Sequence, residues 1–135
     1  MGAATGQSLV AVGIPAMDDQ HGILMDTLQE LKQQLARGNG KTRLGPQMAR
    51  LVEFADMHFG CEESLLRRHA FPGLALHCGA HQELLDQIRH AMGTADRGSE
   101  ADLLRDLSRL RGQIRDHIES LDRQYAEWLS ERGLF

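Results

Sequence analysis

His58 and Glu62 stand four residues apart, and so do His77 and His81, with a Phe71-Pro72-Gly73 break between the two pairs. Residues four apart share one face of a helix, so each pair turns two ligand-capable side chains the same way. Neutral imidazole together with carboxylate suits iron, zinc or manganese. Two ligands per helix on adjacent helices make a rigid cage inside a helix bundle.

Four apolar stripes supply the elements that must position these side chains. The first starts at His21 and continues through Leu24, Leu28, Leu31 and Leu35 at three-four spacing. It predicts a helix from Asp18 or Asp19, either of which can cap it, to about Arg37, stopped by Gly38-Asn39-Gly40. The second, Met48, Leu51, Ala55, His58, Glu62 and Leu65, predicts a helix from about Arg43 to His69, with Pro46 tolerable only in its first turn. The third, Leu74, His77, His81, Leu84, Leu85, Ile88 and Met92, predicts a helix from near Pro72 or Leu74 that ends at Gly93. The fourth is announced by Ser99-Glu100-Ala101-Asp102, a capping pattern. It carries Leu103, Leu107, Leu110, Ile114, His117, Leu121, Tyr125 and Trp128 toward Gly133.

Four amphipathic helices of about 20 residues joined by short loops predict an all-α, up-down-up-down antiparallel four-helix bundle. Residues 1–17 are rich in Gly and Ala and broken by Pro15, so they are expected to form an extended N-terminal arm packed on the bundle through Val10, Val12 and Ile14. The bundle then spans 18–132, and the 135 residues make one domain with one core.

Composition narrows the function classes. Hydrophobic residues are 41% and charged residues 25%, an ordinary globular balance and not a disordered one. A net charge of −4, with acids interleaved among the arginines, leaves no basic footprint for nucleic acid or an anionic membrane. No stretch has the apolar length of a membrane span and the N-terminus lacks the pattern of a signal peptide, so a cytoplasmic monomer is expected. Cys61 and Cys78 form no C-x-x-C pair and are read as small residues of the bundle wall.

Seven polar residues therefore occupy core positions, at least one from every helix: His21, His58, Glu62, His77, His81, His117 and Asp122. An unpaired buried carboxylate is strongly disfavoured, and a cation is the simplest compensation. Five imidazoles and two carboxylates are too many for one tetrahedral zinc and suit two metals bridged by the carboxylates. His69 and His90 fit no stripe and are expected at the surface. Gly22, Gly60 and Gly79 lie beside the candidate ligands. Each costs about 1 kcal/mol against Ala in a helix, for which room for ligands or close helix approach is one compensation, chance placement among the 14 glycines being the alternative. The five-residue step from His117 to Asp122 turns about 140° on a regular helix. The two are therefore expected at opposite edges of the buried face, a π-bulge being the alternative.

Asp18-Asp19-Gln20-His21, the H-F-x-x-E-E of His58 to Glu63, Phe71-Pro72 followed by His77-x-x-x-His81, and the H-I-x-x-x-D-x-x-Y of His117 to Tyr125 together resemble the hemerythrin family in its single-domain bacterial form. The resemblance runs from Val12 to Trp128 and fills all seven ligand positions. It implies a non-haem di-iron site with an oxo or hydroxo bridge that binds dioxygen reversibly. By position, His77, His81 and His117 hold one iron, His21 and His58 the other, and Glu62 and Asp122 bridge them. The pocket-lining positions of the family match Leu24, Phe59, Ile114 and Ile118, all apolar.

Two positions depart from the family's pattern. A Trp common in the arm is absent near Gly6, and a Trp four residues before the helix-four histidine is replaced by Gln113. A polar amide beside the pocket is expected to admit water and shorten the life of the oxygenated form. The implied roles are an oxygen carrier, store or donor to an oxygen-consuming enzyme. The competing readings are a di-iron enzyme acting on peroxide or nitric oxide, and a sensor module.

Overall fold

The computed structural model describes residues 11–38 and 40–135. Val10 and Gly6 lie outside the described residues. Helix α1 spans Pro15–Ala36, a 3-10 turn covers Lys41–Leu44, and α2 spans Gly45–Arg68. Helix α3 spans Leu74–Arg97 and α4 spans Glu100–His117. A π-helical turn over Ile118–Asp122 joins α4 without a break to α5, Arg123–Glu131. The two short helices and the turn between them form the fourth rod of a four-helix bundle, in which α1 packs on α2 and α4, and α3 packs on α2 and α4.

The apolar stripes bury as their spacing requires. Leu24, Leu28, Leu31, Met48, Leu51, Ile88, Leu103, Leu107 and Leu110 are all but inaccessible and form the larger core. Truncating one such leucine to alanine costs about 2–5 kcal/mol through lost transfer energy and the cavity left behind. A smaller apolar cluster, built on Ile14, Met17, Leu65, Leu66, Tyr125 and Leu129, fills the other end of the bundle. Between the two lies the layer that contains the buried histidines and carboxylates.

The helix ends differ from the sequence expectation in three places. Helix α1 begins at Pro15, not at Asp18 or Asp19, because proline is pre-set for a first helical position. The Asp18 carboxylate instead reaches back outside the helix and accepts from the Val12 and Gly13 amides, at 2.8 and 3.1 Å. That clamp holds Val12 and Gly13 at the head of the helix, with Ile14 buried and Val12 partly buried as expected. Helix α3 runs through Gly93 to Arg97, because Ala91 and Ala95 extend its buried stripe by another turn. Met92, expected in that stripe, is exposed. The stop is Gly98, whose extended backbone turns its amide onto Thr94 O at 2.8 Å. The Ser99 cap is as expected, accepting from the Asp102 amide at 3.0 Å.

The third difference is the π turn. The sequence expectation favoured a regular helix from His117 to Asp122, but the bonding here is i to i+5 over Ile118–Asp122. The wider turn brings the fifth residue back to the face of the first. It also slips the stripe beyond it by one position. Asp122 is buried as expected, but Ala126 and Leu129 are buried beyond it, while Leu121 and Trp128, expected in the stripe, are only partly buried.

Candidate metal centre

All seven polar stripe residues converge in the layer between the two apolar clusters, and all are buried. Helix α1 contributes His21, α2 His58 and Glu62, α3 His77 and His81, and the fourth rod His117 and Asp122. Glu62 lies at the middle. Its Oε2 is 3.0 Å from His21 Nε2 and 3.4 Å from His58 Nε2, while its Oε1 is 2.9 Å from His81 Nε2 and 3.5 Å from His77 Nε2. Asp122 stands across from it, with Oδ1 at 2.9 Å from His77 Nε2 and 3.0 Å from His117 Nε2, and Oδ2 at 3.0 Å from His21 Nε2.

Glu62 is hydrogen-bonded to His21 and His81, but the short distances around Asp122 are not hydrogen bonds. Neither oxygen of Asp122, nor His77 Nε2, nor His117 Nε2, has a partner in hydrogen-bonding direction. Burying such groups without partners costs several kcal/mol, of order 1–3 for each neutral atom and more for a charge. Imidazole and carboxylate lone pairs gathered this closely suit a cation, and the donor set fits one. The atoms fall into two overlapping groups, each with all its ligand atoms within 4.8 Å of one another. One group is Glu62, His77, His81, His117 and Asp122, and the other is His21, His58, Glu62 and Asp122. Both carboxylates belong to both groups.

Protonation answers the same need in the metal-free protein. Burial opposes a charge on His21 and on His77, but the adjacent carboxylates of Asp122 and Glu62 outweigh it and raise each pKa to about 9. Burial likewise opposes charge on the carboxylates. The histidines around Glu62 nevertheless hold it well below the usual carboxylate range, and His117, His21 and His77 bring Asp122 down to about 2. The layer is thus a set of opposite charges cut off from water.

Three residues that the sequence reading quoted in its motifs without assigning them a role orient this set. Gln20 Oε1 lies 2.6 Å from His58 Nδ1, and Glu63 Oε2 lies 2.8 Å from His81 Nδ1. Each turns the far nitrogen of its imidazole, Nε2, toward the shared carboxylates. The Tyr125 hydroxyl donates to Glu62 Oε2 at 2.8 Å from the apolar cluster below. Burial first, and then the charges of Glu62 and Asp122, push its pKa far above the ordinary phenol value, so it remains a donor. The signal for Glu63 was present in the paired Glu62-Glu63. Successive helix residues point about 100° apart, so one carboxylate faces inward and the next faces the neighbouring helix.

Leu24, Phe59, Ile114 and Ile118 are buried, and the Phe59 ring stacks on His81 at a centroid distance of 4.2 Å. Gln113 is only partly buried, yet its Oε1 is shielded from water and has no partner. His90 is exposed as expected, whereas His69 is partly buried. Cys61 and Cys78 are free and partly buried. A Cβ added at Gly22, Gly60 or Gly79 meets nothing within 4 Å, so these glycines mark neither a close helix approach nor room for a ligand.

Among the described residues no helix is long and apolar enough to cross a membrane. Comparison with solved structures gives no significant match. A bacteriohemerythrin of Methylococcus capsulatus is 29% identical over 114 residues, which cover 84% of this chain and 86% of that protein. Residues 12–129 match the hemerythrin HHE cation binding domain. With the match spanning all four helices and the buried histidine and carboxylate layer, the chain belongs to the hemerythrin family.

Proposed function

We propose that the protein binds dioxygen reversibly at a pair of iron ions, with His77, His81 and His117 holding one, His21 and His58 the other, and Glu62 and Asp122 shared between them. The observation that carries this reading is the division of the buried donors into two groups with both carboxylates in common. The imidazoles divide three to two, so the His21–His58 side has one protein donor fewer. Two ferrous ions held there would supply the electrons for a reversible capture of dioxygen.

The chain's own residues do the rest. Gln20 and Glu63 fix two imidazole rings, and Tyr125 holds Glu62 in place through a bond to one of its oxygens. Leu24, Phe59, Ile114 and Ile118 surround the layer with apolar side chains that exclude water. The name of the Methylococcus relative supports the same reading.

The test is the visible spectrum of the iron-loaded, anaerobically reduced protein as oxygen is admitted and then removed. A charge-transfer band that appears and disappears with oxygen, over several cycles, is the expected result. A single irreversible passage to the oxidised state would overturn it. A centre that instead turned over peroxide or nitric oxide would be the second reading, which the unpartnered amide oxygen of Gln113 favours.

A further inference from the structure

The seven residues of the centre are not equally enclosed. Six are 0–1% exposed, and His117 is 8% exposed. That exposure opens into a groove of about 540 Å³ along the seam of α3 and α4. Helix periodicity builds the groove from two facing stripes. Glu83, Asp86 and Gln87 of α3 stand across from Gln113, Asp116 and His117 of the fourth rod. Three of these are carboxylates, and no Lys or Arg lines the groove. Farther along the same seam a second groove is lined by Arg89, Arg97, Arg105 and Arg109 together with Asp102 and Asp106, and none of the seven residues reaches it.

The wall of the acidic groove also contains an acceptor without a partner, and behind it lies a second that faces Asp122 in the centre. Gln113 Oε1 is buried and unbonded one helical turn before His117, and His117, nine-tenths buried, carries an unbonded Nε2 on its inner side. An amide oxygen and an imidazole nitrogen are donors toward a hard or borderline cation. From solvent inward the seam therefore runs from exposed carboxylates to an unpaired amide oxygen and then to the least enclosed imidazole of the centre.

We propose that this groove is the route by which divalent cations reach the centre, with Glu83, Asp86 and Asp116 concentrating them at its mouth and Gln113 taking them over before His117. The inference rests on the metal-binding reading and adds the path and the residues that set its rate. The three carboxylates lie outside both ligand groups, so they act on arrival and not on the final complex. A doubly charged ion steered by three carboxylates, screened by salt, gains roughly five- to tenfold in association rate at low ionic strength.

The experiment is stopped-flow uptake of Co²⁺, or of anaerobic Fe²⁺, by the metal-free protein. The variant Glu83→Gln/Asp86→Asn/Asp116→Asn is compared with a charge-matched control on the opposite seam, Asp26→Asn/Glu30→Gln/Glu53→Gln. The groove variant is expected to slow uptake about five- to tenfold at low salt, with the final metal content unchanged and the difference gone in high salt. The control should stay within about twofold of the unaltered protein. Gln113→Leu is expected to slow uptake at every ionic strength. Equal rates in the groove variant and the unaltered protein, or equal slowing in the control, would overturn the route and leave the centre standing. An unaltered protein that takes up no metal would overturn both.

Discussion

His117 Nε2 lies 3.0 Å from Asp122 Oδ1 although five residues separate them in one helix. Only the π turn over Ile118–Asp122 makes this possible. In a regular helix the position one residue earlier, Leu121, would follow His117 on the same face. The double variant Leu121→Asp/Asp122→Leu moves the carboxylate to that position without changing composition. It is expected to fold as a helical bundle and to lose at least one ion per chain, since Asp122 belongs to both donor groups. Metal content after equilibrium dialysis, beside far-UV circular dichroism, reads both. Full metal retention would refute the register.

Opposite pH trends are expected for the metal-free and the metal-loaded protein. His21 and His77, raised from 6.5 to about 9, stabilise the metal-free fold fully below pH 6.5 and lose that contribution as pH rises through 9. Glu62 and Asp122, held below their ordinary 4.5 and 3.8, contribute above those values and lose the contribution as pH falls. The metal-free bundle is therefore most stable between about pH 4.5 and 6.5. Metal must displace the protons on His21 and His77, so loading strengthens as pH rises toward 9 and releases about two protons per chain at pH 7. Thermal melts at pH 5.5 and 9, and calorimetric titration in two buffers of different ionisation heat, check this. A metal-free melting temperature that climbs toward pH 9 would count against it.

Gly60 and Gly79 are exposed, sit in helix interiors, and have open space where a Cβ would go. Gly60→Ala and Gly79→Ala should each stabilise the protein by about 0.5–1 kcal/mol, by reducing the freedom of the unfolded chain and improving helix propensity. Both variants should load metal normally. A loss of stability or of metal at either position would restore the idea that glycine makes room there.

These glycines also show where the sequence was hard to read. Composition reveals that glycine is costly in a helix, but not which way its missing side chain would point. Six of the seven polar residues were legible because each stands in an apolar stripe, and a buried charge narrows the alternatives to a partner or a metal; Asp122 stood one residue off its stripe and was marked by its place after His117. The π turn was not legible, since the five-residue step fits either a regular helix with ligands at the edges or a bulge. What settles it is packing: the slipped register buries Ala126 and Leu129 against the lower cluster. Gly93 misled for a related reason, because Ala95 continues the buried stripe of Ala91 past it, which outweighs about 1 kcal/mol of propensity.

Gln20 and Glu63 give the two halves of the centre different supports, and this predicts separable losses. Gln20 holds His58 through a neutral amide, whereas Glu63 holds His81 through a carboxylate. A carboxylate behind an imidazole raises its basicity more than an amide does, and losing such a partner weakens metal binding roughly 10–100-fold. Glu63→Ala is therefore expected to weaken the ion on the three-histidine side. Gln20→Ala should weaken the ion on the His21–His58 side by a smaller factor. The conservative change Glu63→Gln keeps an acceptor for His81 Nδ1 and should recover most of the orientation but not the charge. Two-step chelator titrations of the cobalt-loaded protein resolve the ions. If both alanine variants lowered both steps equally, the partners would be supporting the fold as a whole and not the two imidazoles they touch.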